Sequence, residues 1–169
     1  MYIKNKYISD IYIVIFFFIV WSLIFSLTAH SQDFVMTDDD VNNLTRTSVL
    51  VNELYEDIAE VNSLVKKNNI SDNDLSDYIK ENEKRLAELS AMEVPDEFKV
   101  YKEKRIEIIL LGSEYFQGIN TDTDLVSIAH KINDNHKEAS TLFMNGVKEI
   151  GCKYYEDEQG LHFTKERIG

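Results

Sequence analysis

Residues 121–125 read TDTDL, and the same pattern recurs as SDNDL at 71–75 and TDDDV at 37–41. Each stretch is a hydroxyl residue, then closely spaced aspartates, then an aliphatic residue. Such clusters have two physical uses: they ligate a cation, or they start a helix. A calcium loop of the EF-hand type needs oxygens at positions 1, 3 and 5, glycine at 6 and glutamate at 12. Counted from Asn120, Asp122 and Asp124 fill positions 3 and 5, but position 6 is Leu125 and position 12 is Lys131. Counted from Asp72, position 6 is Asp77, so the glycine is again missing. TDDDV offers no alternation at all. As helix starts, all three make sense together. A Ser, Thr or Asp side chain accepts the free backbone N–H groups of a first turn. Further aspartates there meet the positive end of the helix dipole.

Each cluster stands directly before an apolar stripe of helical spacing. The first stripe is Val41, Leu44, Ser48, Val51, Tyr55, Ile58 and Val65, widened by Leu54, Val61 and Leu64. The second is Leu75, Tyr78, Ile79, Leu86, Leu89 and Met92, and it stops at the sole proline, Pro95. VPDEF, with Pro95, Asp96 and Glu97, is expected to open a third helix as the aspartate clusters open theirs. Its inner face is Phe98, Tyr101, Ile108, Ile109, Tyr115 and Phe116. RIEIILL at 105–111 reads as the most buried stretch, and Gly118 as the left-handed residue after the helix. The fourth stripe runs Leu125, Ile128, Ala129, Ile132, Ala139, Leu142, Phe143, Val147 and Ile150, and Gly151 ends it. Four long amphipathic helices on short loops predict an all-α fold, an antiparallel four-helix up-down bundle over residues 32–151. The tail, 152–169, breaks the helical period. Tyr154, Tyr155, Leu161 and Phe163 flank a polar EDEQG, which gives either a short hairpin turning near Gly160 or an irregular extension on the bundle end.

Residues 1–31 read as an export or anchor helix preceding the bundle. Lys4 and Lys6 precede IYIVIFFFIVWSLIFSLTA, an uncharged run from Ile11 to Ala29. Ala29 and Ser31 suit the −3 and −1 positions of a cleavage after Ser31. The run is also just long enough to span a membrane uncleaved. Lysines before it and Asp33 with Asp38–Asp40 after it put the body outside the cytoplasm under either alternative. The expected localisation is therefore extracytoplasmic, secreted or membrane-anchored through residues 11–29.

The chain holds 18 Lys+Arg against 30 Asp+Glu. Only Lys4, Lys6 and Asp10 are charged before Gln32, so residues 32–169 carry 16 basic and 29 acidic side chains, a net charge of −13. That field repels phosphate backbones and argues against nucleic acid as a partner. The single cysteine, Cys152, cannot form an intramolecular disulfide.

Catalytic constellations are missing from the sequence. None of His30, His130, His136 and His162 follows a glutamate by three residues, so the Glu-x-x-His elements of di-iron bundles are absent. His130 and Asp134 share a helical face but read as solvated surface. No glycine-rich phosphate loop occurs. The aromatic and acidic neighbours of Cys152 do not activate it as a nucleophile. No catalytic residue, cofactor or metal site is expected. Polar residues on inner faces are the remaining candidates: Asn62, Asn82, Asn135 and, above all, Arg105 between Tyr101 and Ile108. Snorkelling from the stripe edges explains them most simply. A small ligand cavity formed by Arg105, Tyr101 and Tyr115 is the alternative.

The segment LAELSAMEVPDEFKVYKEKRIEIILLGSEYF, residues 86–116, resembles a pattern common in small exported helical proteins of prokaryotes. The resemblance implies a four-helix bundle and no activity. The expected function is a non-enzymatic protein-interaction module at the cell envelope, with an unknown protein partner there. A small-ligand-binding or sensor bundle is the alternative.

Overall fold

The computed structural model describes residues 36–157 and 160–165. The expected export segment, its cleavage position and the remainder of the tail lie outside the described residues. Helix makes up 78% of what is described, which places the chain in the all-α class. The elements are α1 (Asp38–Lys66), α2 (Asp72–Ala91), a one-turn 3-10 segment (Asp96–Phe98), α3 (Lys99–Gly118), α4 (Leu125–Glu149), β1 (Cys152–Asp157) and β2 (Gly160–Lys165). Among the described residues no helix is long and apolar enough to cross a membrane.

The three aspartate clusters are helix starts. Thr37 Oγ1 accepts from the Asp40 amide at 3.1 Å, and the Asp40 carboxylate accepts from the Thr37 amide at 2.9 Å. Ser71 and Asp74 repeat this reciprocal box at 3.2 and 2.9 Å. In TDTDL the work is divided: Thr121 Oγ1 turns the chain by accepting from the Thr123 amide, and Asp124 Oδ1 caps α4 through the Ser127 amide at 3.1 Å.

The third helix departs from expectation. Pro95 heads a 3-10 turn rather than the α-helix, and no side chain caps α3. The Phe98 amide instead bonds to Pro95 O at 2.9 Å, so the backbone satisfies what a cap would have satisfied. Asp96 faces solvent and pairs with Lys99 at 2.6 Å. Gly118 is likewise not the left-handed residue; Asn120 takes that role at φ 67°. Gly118 is the last helical residue, and a Cβ there would meet Leu125 Cδ2 at 2.8 Å and Thr123 Cγ2 at 2.9 Å, so close packing favours glycine. RIEIILL is not buried throughout. Ile108 and Ile109 are fully enclosed, but Leu110 is 45% exposed, because seven consecutive residues go right round a helix. Val65, at the frayed end of the first stripe, is also exposed.

Successive helices run antiparallel. Arg46 meets Glu88 while Arg85 meets Asp57, which reverses α2 against α1. Lys102 donates to the carbonyls of Ser90 and Met92 while Asn82 donates to Ile109, which reverses α3 against α2. Lys104 reaches Glu138, and Phe98 lies against Gly146, which reverses α4 against α3.

Packing is not evenly shared. Helix α3 touches each of the other three, whereas α1 and α4 make no close backbone approach to one another. At Gly112 on α3 a Cβ would stand 2.6 Å from Leu54 Cδ1, so the Leu54 side chain of α1 packs directly on the α3 backbone there. Between α1 and α4 there is a gap. The tail forms a hairpin across that gap. Its register pairs Tyr154 with Phe163, β1 lies on α4, and β2 lies on α1. Tyr154 and Phe143 rings meet edge-on at 4.9 Å, and the Leu161 amide donates to Thr45 Oγ1 at 3.2 Å.

Candidate functional site

The gap between α1 and α4 contains a cavity of about 260 Å³. Its floor is α3, through Tyr101 and Arg105. Its sides are Ser48 and Asn52 of α1 and His136, Ser140, Phe143 and Met144 of α4. The hairpin contributes Tyr154, Glu156 and Leu161 as the remaining wall. Of the three residues expected to form a cavity, Tyr101 and Arg105 are brought together. Tyr115 is not: it lies nearly three helical turns beyond Arg105 on α3, packed edge-on against Phe116 and donating to Asn62 Oδ1 at 2.7 Å.

Arg105 is not snorkelling. It is 7% exposed. Its Nη1 lies 3.2 Å from His136 Nδ1, and its guanidinium carbon lies 5.0 Å from the centre of the Tyr101 ring. Arginine has only donors, so Nδ1 must carry the lone pair, and the His136 proton sits on Nε2. Burial, and then the neighbouring guanidinium, hold the His136 pKa below its ordinary value. Tyr55 packs edge-on to the same imidazole at 5.5 Å, and burial raises its phenol pKa.

Among the described residues Arg105 has no anionic partner. No described carboxylate lies within ion-pair distance of it, and its buried Nε has no hydrogen-bond partner. The other two described arginines differ in this respect. Arg85, equally buried, holds Asp57 at 2.6 Å and Glu53 at 3.4 Å. Arg46 holds Glu88 at 2.6 Å and Glu53 at 2.9 Å. In a chain with 30 acidic residues, a desolvated guanidinium left without a carboxylate is the exception, since an unpaired buried charge costs several kcal/mol, on the order of 3–5.

Asn82 is a structural counterpart. It is fully buried, with Nδ2 2.7 Å from Ile109 O and 2.8 Å from Ser113 Oγ. It pins α2 to α3 rather than lining the cavity. Asn135 stands in a separate surface groove with Leu110 and Leu111. His130 and Asp134 are both exposed and form no ion pair with each other; Asp134 pairs with Lys137 instead.

A second cavity, of about 470 Å³, opens between α1 and α2 and is lined by Asp57, Glu60, Asp74, Asp77 and Glu81 around Arg85. Burial and then the Glu60 carboxylate push the Tyr78 phenol there up to about 12. Among the described residues no three His, Cys, Asp or Glu side chains converge as metal ligands do.

His136, Arg85 and Glu156 were not singled out from the sequence. Helical spacing carried a signal for two of them: His136 falls between Ile132 and Ala139 on the inner stripe of α4, and Arg85 between Asn82 and Leu89 on that of α2. Glu156 enters the site only because the hairpin folds back. No family model, curated protein or solved structure matches this chain.

Proposed function

We propose that this chain is an extracytoplasmic, non-enzymatic antiparallel four-helix up-down bundle that binds a small ligand in the cavity between α1 and α4. The observation that carries it is Arg105, a buried cation that faces this cavity and pairs with no described carboxylate, although Glu156 stands elsewhere on the lining. Buried charges are retained where something pairs with them. Here the place for that partner is a cavity of about 260 Å³. This is somewhat below the roughly 300–1,000 Å³ that drug-sized ligands occupy and suits a small metabolite. Residues 11–29 deliver the bundle across the membrane and, if uncleaved, anchor it there. The resemblance of residues 86–116 to small exported helical proteins of prokaryotes agrees with this placement.

The test is thermal melting of the full-length chain in detergent micelles against a panel of small metabolites. Ser140→Trp is the control, because Ser140 is an exposed residue on the cavity rim and a ring there fills the space. The expected result is a ligand that stabilises the natural chain by about 2.7 kcal/mol at a hundred times Kd, read as a higher melting temperature, and leaves Ser140→Trp unmoved. A ligand that stabilises both equally would place binding elsewhere.

A protein-interaction module at the cell envelope is the second reading. It is favoured by the groove in which Leu110 stands exposed beside Leu111, Glu107, Glu114 and Lys131. An apolar side chain ringed by charges is the anatomy of a small interface. Recovery of one envelope protein by the natural chain and not by Leu110→Lys would establish it.

A further inference from the structure

The cavity also constrains the chemistry of its occupant. We propose that it takes a small monocarboxylate with an apolar body, whose carboxylate stands where Arg105 lacks a protein partner. This rests on the ligand-binding reading above and specifies it.

Three observations select the class. First, the guanidinium is bound to the protein only through Nη1, to His136, and through its face, to Tyr101. Its Nε has no partner, and Arg105 pairs with no described carboxylate. A planar fork of N–H donors matches a carboxylate or a phosphate. Second, the rest of the lining divides the space. Phe143, Met144 and Leu161 offer an apolar wall, while Ser48, Asn52 and Ser140 offer neutral hydrogen-bonding groups. An inorganic anion would leave the apolar wall unused; a carboxylate with a hydrocarbon or aromatic body covers both. Third, Glu156 lines the cavity without pairing to Arg105. One cation and one anion therefore face the space, inside a body with a net charge of −13. A monoanion leaves a single uncompensated negative charge there, and a dianion leaves two. Glu156 thus acts as a charge filter.

The experiment uses the full-length chain in detergent micelles with carbon-13 methyl-labelled methionine. Met144 lines the cavity, whereas Met36 and Met92 lie outside its lining and report on the fold. Benzoate, its neutral isostere benzamide, and inorganic phosphate are titrated while the Met144 methyl resonance is followed. Benzoate is expected to move that resonance to saturation, with Met36 and Met92 still. Benzamide and phosphate are each expected to need at least tenfold higher concentration. Arg105→Gln should weaken benzoate at least tenfold with Met36 and Met92 unshifted, and Glu156→Gln, on an exposed strand, should tighten it. If benzamide matches benzoate, the cavity binds ligands but the carboxylate assignment is wrong. If phosphate matches benzoate, the apolar body is wrong. If none of the three moves Met144, both the class and the cavity reading fail.

Discussion

Gly112 stands where a Cβ would come within 2.6 Å of Leu54 Cδ1, so the Leu54 side chain of α1 packs directly on the α3 backbone. Alanine at 112 gains up to about 1 kcal/mol of helix propensity but must displace the Leu54 side chain, which is flexible. Gly146 is tighter. A Cβ there meets the Glu97 carbonyl oxygen at 2.8 Å and the Phe98 ring at 2.9 Å, and backbone cannot swing aside. Gly146→Ala should therefore destabilise by about 1–3 kcal/mol and Gly112→Ala by less. Denaturant unfolding of the two variants checks the order.

The Asn82 amide holds α2 and α3 together inside the core. Its orientation is fixed, because Ile109 O can only accept. Asn82→Leu should cost about 1–3 kcal/mol, since it strands the Ser113 hydroxyl as well as losing two bonds. Adding Ser113→Ala should recover part of that loss, because both polar partners are then gone. A double-mutant cycle measures the coupling; strict additivity would show that the pair does not act as a unit.

His136 gives the protein a pH dependence of definite sign. Its pKa is held below 6.5 in the folded state, by burial first and by Arg105 second. Below 6.5 the unfolded chain binds the proton more readily than the native one, so stability falls as pH drops through that range. The contribution is intact above the unfolded value. Between about pH 7 and pH 5, where carboxylates barely titrate, the natural chain should lose more stability than His136→Asn. Parallel curves for the two would contradict the assignment.

The helix starts predict a contrast between neighbouring aspartates and hydroxyls. Ser71→Ala removes a reciprocal capping box and should cost about 0.5–2 kcal/mol. Asp122→Asn, exposed and outside the α4 cap, should change stability by less than about 0.5 kcal/mol. Calcium should leave the melting temperature unchanged. A calcium-dependent rise abolished by Asp122→Asn with Asp124→Asn would make TDTDL an ion site after all.

Helix number and helix starts were legible because both are local. Apolar spacing marked Leu44, Val51, Ile108 and Phe143 as interior, and backbone capping needs only the next three residues. Arg105 could be placed on an inner face by the same periodicity, between Tyr101 and Ile108. What periodicity could not supply was depth. Whether Arg105 snorkels or is enclosed depends on the hairpin and on His136, some 30 to 50 residues away. Arg85 escaped notice because its burial depends on Glu53 and Asp57 from another helix. Tyr115 shares a stripe with Tyr101 yet belongs to a different layer, since residues 14 apart on a helix lie about 21 Å apart along its axis. The gap that forms the cavity lies between α1 and α4, which are remote in sequence, so no one-dimensional pattern announces it.

The central claim is that Arg105 is retained for a ligand rather than for the fold. A buried cation without an anion is a net cost, and replacement by an apolar side chain of similar length is often neutral or stabilising. The deciding measurement is the melting temperature of Arg105→Met and the natural chain, each with and without saturating benzoate. Without benzoate, Arg105→Met should melt at the same temperature as the natural chain or a few degrees above it, about 1 kcal/mol in its favour. With benzoate, only the natural chain should gain. A lower melting temperature for Arg105→Met without benzoate, or an equal gain for both with it, would make Arg105 a structural residue and contradict the account.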